Sequence, residues 1–294
     1  MLNDFFLSQI KDWDLAYNNY QALQLVKTKS FLFDGFEIKV QYNPARIQST
    51  NAKTDSQEQQ ISLCPLCREN RSDEQKSIPF LDLFSVMVNP YPIFDRHFTI
   101  AYNQHSQQYL KGFSFFLLNF ARRYPNYLVF YNGPRSGASL PNHLHLQAIP
   151  KGNLPVEKDV LLLKKKPLII DKLGSSYYLC NYLRMCIVLE SVSDIWLMSY
   201  LEHTLWKHLS VNSNEEEPMM NVIVSYDRET KVWRLFVFPR KKHRPTQFYE
   251  QGNNRLLISP GTIDMGGVLI VPREEDFNKI TKDIIQDIYN QISL

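Results

Sequence analysis

What this chain has little of narrows its class first. No apolar run approaches the ~18–20 residues that a membrane span needs. The longest, Phe113 to Phe120, is interrupted by Ser114 and Asn119. The amino terminus, MLNDFFLSQIKDWD, carries acids where a secretory signal would carry Lys or Arg, and no apolar core follows. A soluble, cytoplasmic protein is therefore expected. Four cysteines in 294 residues are too few for a disulfide framework. Net charge is only +3, from 33 basic and 30 acidic residues, without the basic excess of a dedicated nucleic-acid binder.

What is present is globular in character. Hydrophobic residues make up 44% and charged residues 21%, which rules out general disorder. The 16 Tyr and 18 Phe favour a strand-rich core. Residues 3–27 alternate at helical spacing, and FLFDGFEIKVQY reads as a hairpin about Asp34-Gly35. Residues 43–60 are polar and aperiodic, hence a loop or a partly disordered arm. Strands are expected at 84–88, 97–102, 126–131 and 143–149, with a helix at 106–123. After a linker containing LLLKKKPLII, strands at 183–189, 220–226, 232–239 and 267–271 accompany helices at 192–209 and 274–292. The acidic run 212–218 reads as an exposed loop. Strand–strand–helix occurs in both halves, predicting an α+β protein with two similar half-units.

The chemistry concentrates at 131–147. In an extended NHLHLQ, residues two apart share a face, so His143, His145 and Gln147 line one side and Leu144 and Leu146 enter the core. Such a face is an active-site wall or a metal face, or else its two histidines are satisfied within the core or simply solvent-facing. Just upstream, YNGPRSGASLP supplies Gly133, Ser136, Gly137 and Ser139, whose backbone N–H groups and hydroxyls can converge on phosphate oxygens, and Arg135 adds a charge suited to phosphate. A phosphate-cradling loop thus runs directly into a strand bearing an imidazole that could act as nucleophile. Separately, Cys64-Pro-Leu-Cys67 has knuckle spacing, which in a reducing compartment suggests metal before disulfide, or a remnant without metal.

The string N-G-P-x-S-G-A-S-x-P-x-H-x-H-x-Q resembles the nucleotidyltransferase branch of the histidine-triad superfamily, in which Gln replaces the triad's third His. That branch holds galactose-1-phosphate uridylyltransferase, diadenosine tetraphosphate phosphorylase and the GDP-sugar phosphorylases. The loop is most similar to the second of these. NHLHLQA, MNVIVSYDRETKVWRLFVFPR and DMGGVLIVPREEDF resemble the third, so the likeness spans roughly residues 80–285. One departure is Gly266-Gly267, where the family often has Gly-His.

The resemblance implies histidine-triad-like antiparallel sheets with flanking helices. Residues 1–60 would form an N-terminal helix, hairpin and loop, 61–155 a catalytic half with the knuckle, and 156–294 a second half. It makes His145 the nucleophile for a nucleotidyl group, with Gln147 hydrogen-bonding the phosphoryl group in transfer to phosphate over water. Arg135, Ser136, Gly137, Ala138 and Ser139 would hold phosphoryl oxygens, and Asn142 would position the loop. His97 would border the nucleotide pocket, or merely make a local hydrogen bond. Asn89 could touch base or ribose. Within PRKKHRP, Arg240 or His243 would reach a distal or incoming phosphate, unless the run is a solvated face. The same likeness adds His105, at a helix start, and His143 to Cys64 and Cys67 as ligands of a structural zinc. Substrates implied are a nucleotide-sugar or dinucleoside polyphosphate with phosphate or a sugar phosphate as acceptor, without membrane or nucleic acid, in a homodimer such as relatives form. The rivals are a hexose-1-phosphate uridylyltransferase and a non-catalytic nucleotide-binding protein.

Overall fold

Asp34-Gly35 closes the turn its sequence asks for. Gly35 takes φ +85° and Phe33 N–H donates to the Phe36 carbonyl at 2.8 Å, joining β1 (Lys27–Leu32) to β2 (Glu37–Tyr42). In the computed structural model, which describes residues 1–50, 64–209 and 217–294, most other strands belong to one large antiparallel sheet. Its first five are β3 (Ile78–Phe80), β4 (Phe84–Val88), β5 (Phe98–Tyr102), β6 (Tyr127–Asn132) and β7 (His145–Pro150). The second five are β8 (Lys165–Ile170), β9 (Gly174–Leu179), β10 (Ile187–Ser191), β11 (Met220–Tyr226) and β12 (Trp233–Pro239). The remaining strand, β13 (Val268–Val271), pairs in parallel with β2 to make a separate three-stranded sheet.

The large sheet runs β3-β4-β5-β7-β6-β11-β12-β10-β9-β8. Read outward from the β6–β11 seam, where Phe130 faces Ile223, each half is a hairpin followed by a three-stranded meander. Helix Ser114–Arg123 links meander to hairpin in the first half. In the second, Asp194–Ser199 does so, continuing through a π-helical turn at Tyr200–Leu205 into Trp206–Leu209. The fold is α+β with two similar half-units, as expected. Among the described residues, no helix is long and apolar enough to cross a membrane.

Alternation along the strands separates two apolar layers. Val129, Tyr131, Leu144, Leu146 and Ala148 pack on the face covered by the helices. Leu128, Phe130 and Ile149 pack on the opposite face, with β2, β13 and the helix Lys282–Ile292. A one-residue slip of β7 would expose Leu144 and Leu146 and drive polar side chains into the helix layer, so the register is strongly specified.

Several expected elements differ. The helix read over 3–27 is two, Leu2–Lys11 and Asp14–Gln21, because buried Trp13 takes an extended conformation between them. The helix read from 106 starts at Ser114. Upstream, Ser106 O accepts from Leu144 N–H and Gln108 N–H donates to Pro141 O, so that backbone serves the site instead of a helix. The linker LLLKKKPLII contains β8, an edge strand that tolerates Pro167 at a break in pairing. The final helix is interrupted at Ile280 and restarted by Thr281, whose hydroxyl caps Ile284 N–H. Of the 43–60 loop, residues 51–60 lie outside the described residues, as do 212–216 of the acidic run. Glu217, read as exposed, is 4% exposed and accepts from Leu110 N–H at 2.6 Å and from the Tyr131 hydroxyl. Burial raises its pKa to about 7.

Candidate functional site

β7 opens with His145, which is 4% exposed. Its Nδ1 lies 2.8 Å from the His143 carbonyl oxygen, which can only accept. Nδ1 therefore carries the hydrogen and Nε2 keeps its lone pair. Burial holds the ring's pKa at about 4, so the imidazole is neutral near pH 7. Its backbone is pinned from both sides. Gln108 Oε1 accepts from His145 N–H at 2.8 Å, and Gln108 Nε2 donates to the carbonyls of His145 and Asn132 at 2.9 Å each. Gln108 is fully buried and was not singled out, since its irregular segment carries no periodic signal.

Gln147 shares the His145 face and lines the same cavity. Its Oε1 is 2.8 Å from His97 Nε2, while His97 Nδ1 accepts from Ile93 N–H at 3.3 Å. His97 Nε2 is therefore the donor, and the Gln147 amide is turned with its oxygen inward and its N–H₂ available to the cavity. This corrects the expectation for His97: fully buried, it does not border the pocket but orients Gln147 from behind.

Burial pulls the His97 pKa to about 3. In the unfolded chain it protonates as pH falls below ~6.5, while the folded protein keeps it neutral. Its contribution is full above ~6.5 and is lost as pH falls toward the folded value, a loss of about 2 kcal/mol by pH 5. Denaturant titrations at pH 7 and pH 5 should show that loss in the wild type and a smaller one in His97→Gln. Equal pH slopes would contradict it.

The 133–142 loop is built by a close approach. Gly137 has φ +94°, and a Cβ there would lie 2.4 Å from Gly261 Cα and 2.9 Å from Pro260 O. Gly137→Ala should destabilise the protein by about 3 kcal/mol through strain and overpacking. A denaturant midpoint equal to wild type would refute this contact. Gly137 and Ser139 line the cavity, and Ala138 lines only a smaller one alongside. Ser136 does not reach either. It is fully buried, its amide donates to Gly133 O at 2.9 Å, and its carbonyl accepts from Asn221 Nδ2 at 2.6 Å. Arg135 is exposed and Asn142 half-buried, and neither lines either of these two cavities. Arg240, also expected to bind substrate, is 3% exposed and donates to Asn221 Oδ1 at 2.7 Å and to the carbonyls of Pro260 and His243 at 3.0 and 2.8 Å. These carbonyls consume its donors, so it clamps the 258–262 wall from behind.

The cavity itself, about 210 Å³, is closed by residues from distant parts of the chain. Asn132 Oδ1 accepts from Thr262 N–H at 2.7 Å and from Asn221 Nδ2 at 3.1 Å, which leaves its amide nitrogen for the cavity it lines. Phe130, Ile93, Ile263 and Ile270 form an apolar floor, and Asn89 and Thr99 a polar edge joined at 3.1 Å. Asp264 accepts from Gly261 and Ile270 N–H groups, and burial raises its pKa to about 6. Arg46 lines both cavities and donates to Tyr91 O at 2.7 Å. Of these, Asn89 was suggested by its sequence; Arg46, Asn132, Thr262 and Asp264 were missed. Asn132 alone had a signal, standing directly before Gly133-Pro134.

A second constellation lies one residue pair away. Cys64 Sγ is 3.3 Å from His143 Nδ1, and Cys67 Sγ is 3.2 Å from His105 Nδ1 and 3.5 Å from His143 Nδ1. All four donor atoms lie within 4.8 Å of one another. Neighbouring N and S ligands of a tetrahedral zinc are about 3.6 Å apart, given bonds of ~2.0–2.3 Å. His143 Nε2 faces the Tyr102 carbonyl at 2.8 Å, so its hydrogen sits there and Nδ1 is turned to the thiols. Burial, then Cys64, raises the Cys67 thiol to about 11, so a pair of thiolates here requires a cation. The donor set fits a soft divalent ion. His105 sits in a loop, well short of the helix it was expected to start.

Among its described residues the second half carries no counterpart. β12 takes the place of β7 and reads WRLFVFP, without histidine. There Arg234 Nε pairs with Glu190 at 2.5 Å.

Residues 5–150 match a domain of unknown function, DUF4922, and residues 171–294 match the GDPGP1-like, C-terminal domain. No curated protein matches the chain. Yeast Ap4A phosphorylase Apa2 in complex with AMP is 18% identical with a TM-score of 0.60, over 96% of each chain. Its complex with Ap4A is also 18% identical, with a TM-score of 0.59 over 96% of each chain. A GalT-like protein from Arabidopsis thaliana is 14% identical with a TM-score of 0.39, over 90% of this chain and 99% of that one. The chain thus joins a DUF4922 unit to a GDPGP1-like C-terminal domain, on a fold like that of yeast Ap4A phosphorylase.

Proposed function

We propose that the protein is a phosphorylase-type nucleotidyltransferase. It moves a nucleoside monophosphate from a nucleotide-sugar or dinucleoside polyphosphate to phosphate through His145. The observation that carries this is the neutral His145 ring, held by His143 O so that Nε2 is the free nitrogen, in the wall of a cavity it shares with Gly137, Ser139 and Gln147.

In the first step Nε2 attacks the α-phosphorus. The P–N bond forms, the bond to the leaving phosphate oxygen breaks, and its electron pair leaves with that oxygen. The ring is then cationic, and Nδ1–H remains on His143 O, which stabilises that charge. Gln147 donates its amide N–H to a phosphoryl oxygen in both states, and Asn132 offers a second amide from the neighbouring strand β6. A carboxamide cannot give up a proton, so leaving groups that need no acid, such as phosphates, suit the site. Cys64, Cys67, His105 and His143 would hold zinc, which when bound ties the knuckle to the strand of His145. Free thiols there suit a reducing cytoplasm.

The Cys₂His₂ cluster favours a second reading, in which a hexose 1-phosphate replaces phosphate as acceptor. Incubation with nucleotide-sugars and dinucleoside polyphosphates, plus inorganic phosphate or hexose 1-phosphate, tests both. The first reading expects a nucleoside diphosphate by mass. A product formed only with the sugar phosphate supports the second, and nucleotide binding without turnover refutes both.

A further inference from the structure

Beside the main cavity lies a smaller one of about 40 Å³, several times the ~10–15 Å³ that a single water requires. That is room for one small oxyanion and too little for a nucleoside. Two arginines line it, Arg46 from the N-terminal segment and Arg244 from the turn after β12, with Thr50, Ser139, Ser259 and the Gly137–Ala138 loop. Among the described residues no carboxylate lines it; Asp264 lines the larger cavity.

Both arginines are placed by the fold. Arg46 is tied to Tyr91 O at 2.7 Å. Arg244 is 4% exposed, donates from Nε to Ser259 Oγ at 2.9 Å and lies over the Phe248 ring at 4.2 Å. Arginines crowd this corner. His243, next to Arg244, has its pKa lowered to about 3 by burial and then by Arg244, Arg240 and Arg135. Arg46, Thr50, Gly137, Ser139 and Ser259 are walls of both cavities, so an anion in the small one abuts whatever fills the large one.

We propose that this small cavity is the seat of a phosphate group that takes part in the transfer, held by Arg46 and Arg244 with the hydroxyls of Ser139 and Ser259. The proposal rests on the transfer reading above. With free phosphate seated there, one of its oxygens forms the P–O bond to the α-phosphorus. The P–N bond to His145 Nε2 breaks, and the electron pair returns to the nitrogen. The products are a nucleoside diphosphate and the neutral ring, with no proton to be moved.

Calorimetric titration of the whole protein with inorganic phosphate should show one site, weakened at least tenfold in Arg244→Gln and in Arg46→Lys. His145→Gln, which lacks the nucleophile, should retain it, so this test stands apart from the catalytic one. No binding to the wild type, or binding unchanged in both arginine variants, overturns the proposal. Rapid-mixing kinetics on Arg244→Gln then separate the two sources of phosphate. Slower discharge of the nucleotidyl-protein by phosphate identifies the acceptor. Slower formation identifies the distal phosphate of the donor. Unaltered rates of both steps overturn the role in transfer.

Discussion

Replacing His145 by alanine is expected to lower turnover by about 10⁴-fold or more, equivalent to about 5.5 kcal/mol of transition-state stabilisation. The size follows from chemistry. On the proposed mechanism, loss of Nε2 removes the covalent intermediate, and the loop and Gln147 are left to orient a direct displacement for which they supply no nucleophile. The conservative variant His145→Gln tests whether the loss is chemical, because it keeps a polar side chain of similar size in the cavity wall. Both variants should fold, since His145 faces the cavity and the leucines beside it hold the strand. Incubation with a nucleotide-sugar or dinucleoside polyphosphate labelled on the α-phosphate should label the wild type on His145 and neither variant. Label at the wild-type level in His145→Ala would remove this residue from the mechanism.

Removal of the proposed zinc is expected to lower Tm by about 10 °C. Cys64 and Cys67 come from the turn before β3, His105 from the loop after β5, and His143 from the approach to β7, so one ion would cross-link three segments. Losing it leaves buried thiols and imidazoles without their common partner, a cost on the order of 3–5 kcal/mol. At ~2–4 °C per kcal/mol for chains of this size, that is about 10 °C. Turnover should fall too, because the His143 carbonyl that fixes the His145 tautomer sits on the same residue as a ligand. Purified protein should hold about one zinc, and Cys64→Ser should lose it and show the same fall in Tm. Metal content well below one equivalent, with both thiols freely alkylated and Tm insensitive to chelator, would defeat the prediction.

The two corrected binding residues show why reading by neighbourhood fails. His97 and Arg240 both stand near strand ends that point toward the site, which is why each looks like a ligand contact. Both are spent on structure instead. Burial removes water, so their donors must find protein partners, and those partners are Gln147 in one case and Asn221 Oδ1 with the Pro260 and His243 carbonyls in the other. Ser136 fails for a related reason: its loop folds back on Gly133, and its side chain turns away from the cavity that Gly137 and Ser139 line.

The chain alone could settle whatever repeats along it or sits within one strand. Period-two alternation put Leu144 and Leu146 inward and His143, His145 and Gln147 outward, and the strand–strand–helix rhythm marked two halves. What converges from far apart along the chain was decided only by folding. Arg46, Asn132, Thr262 and Asp264 meet around one cavity because β6 pairs with β11 and β13 with β2. Likewise, which nitrogen of His145 is free depends on a carbonyl that only the turn of the backbone brings within 2.8 Å. Local pattern encodes which face a side chain takes; proximity between distant segments arises from pairing and packing, and no window of sequence contains it.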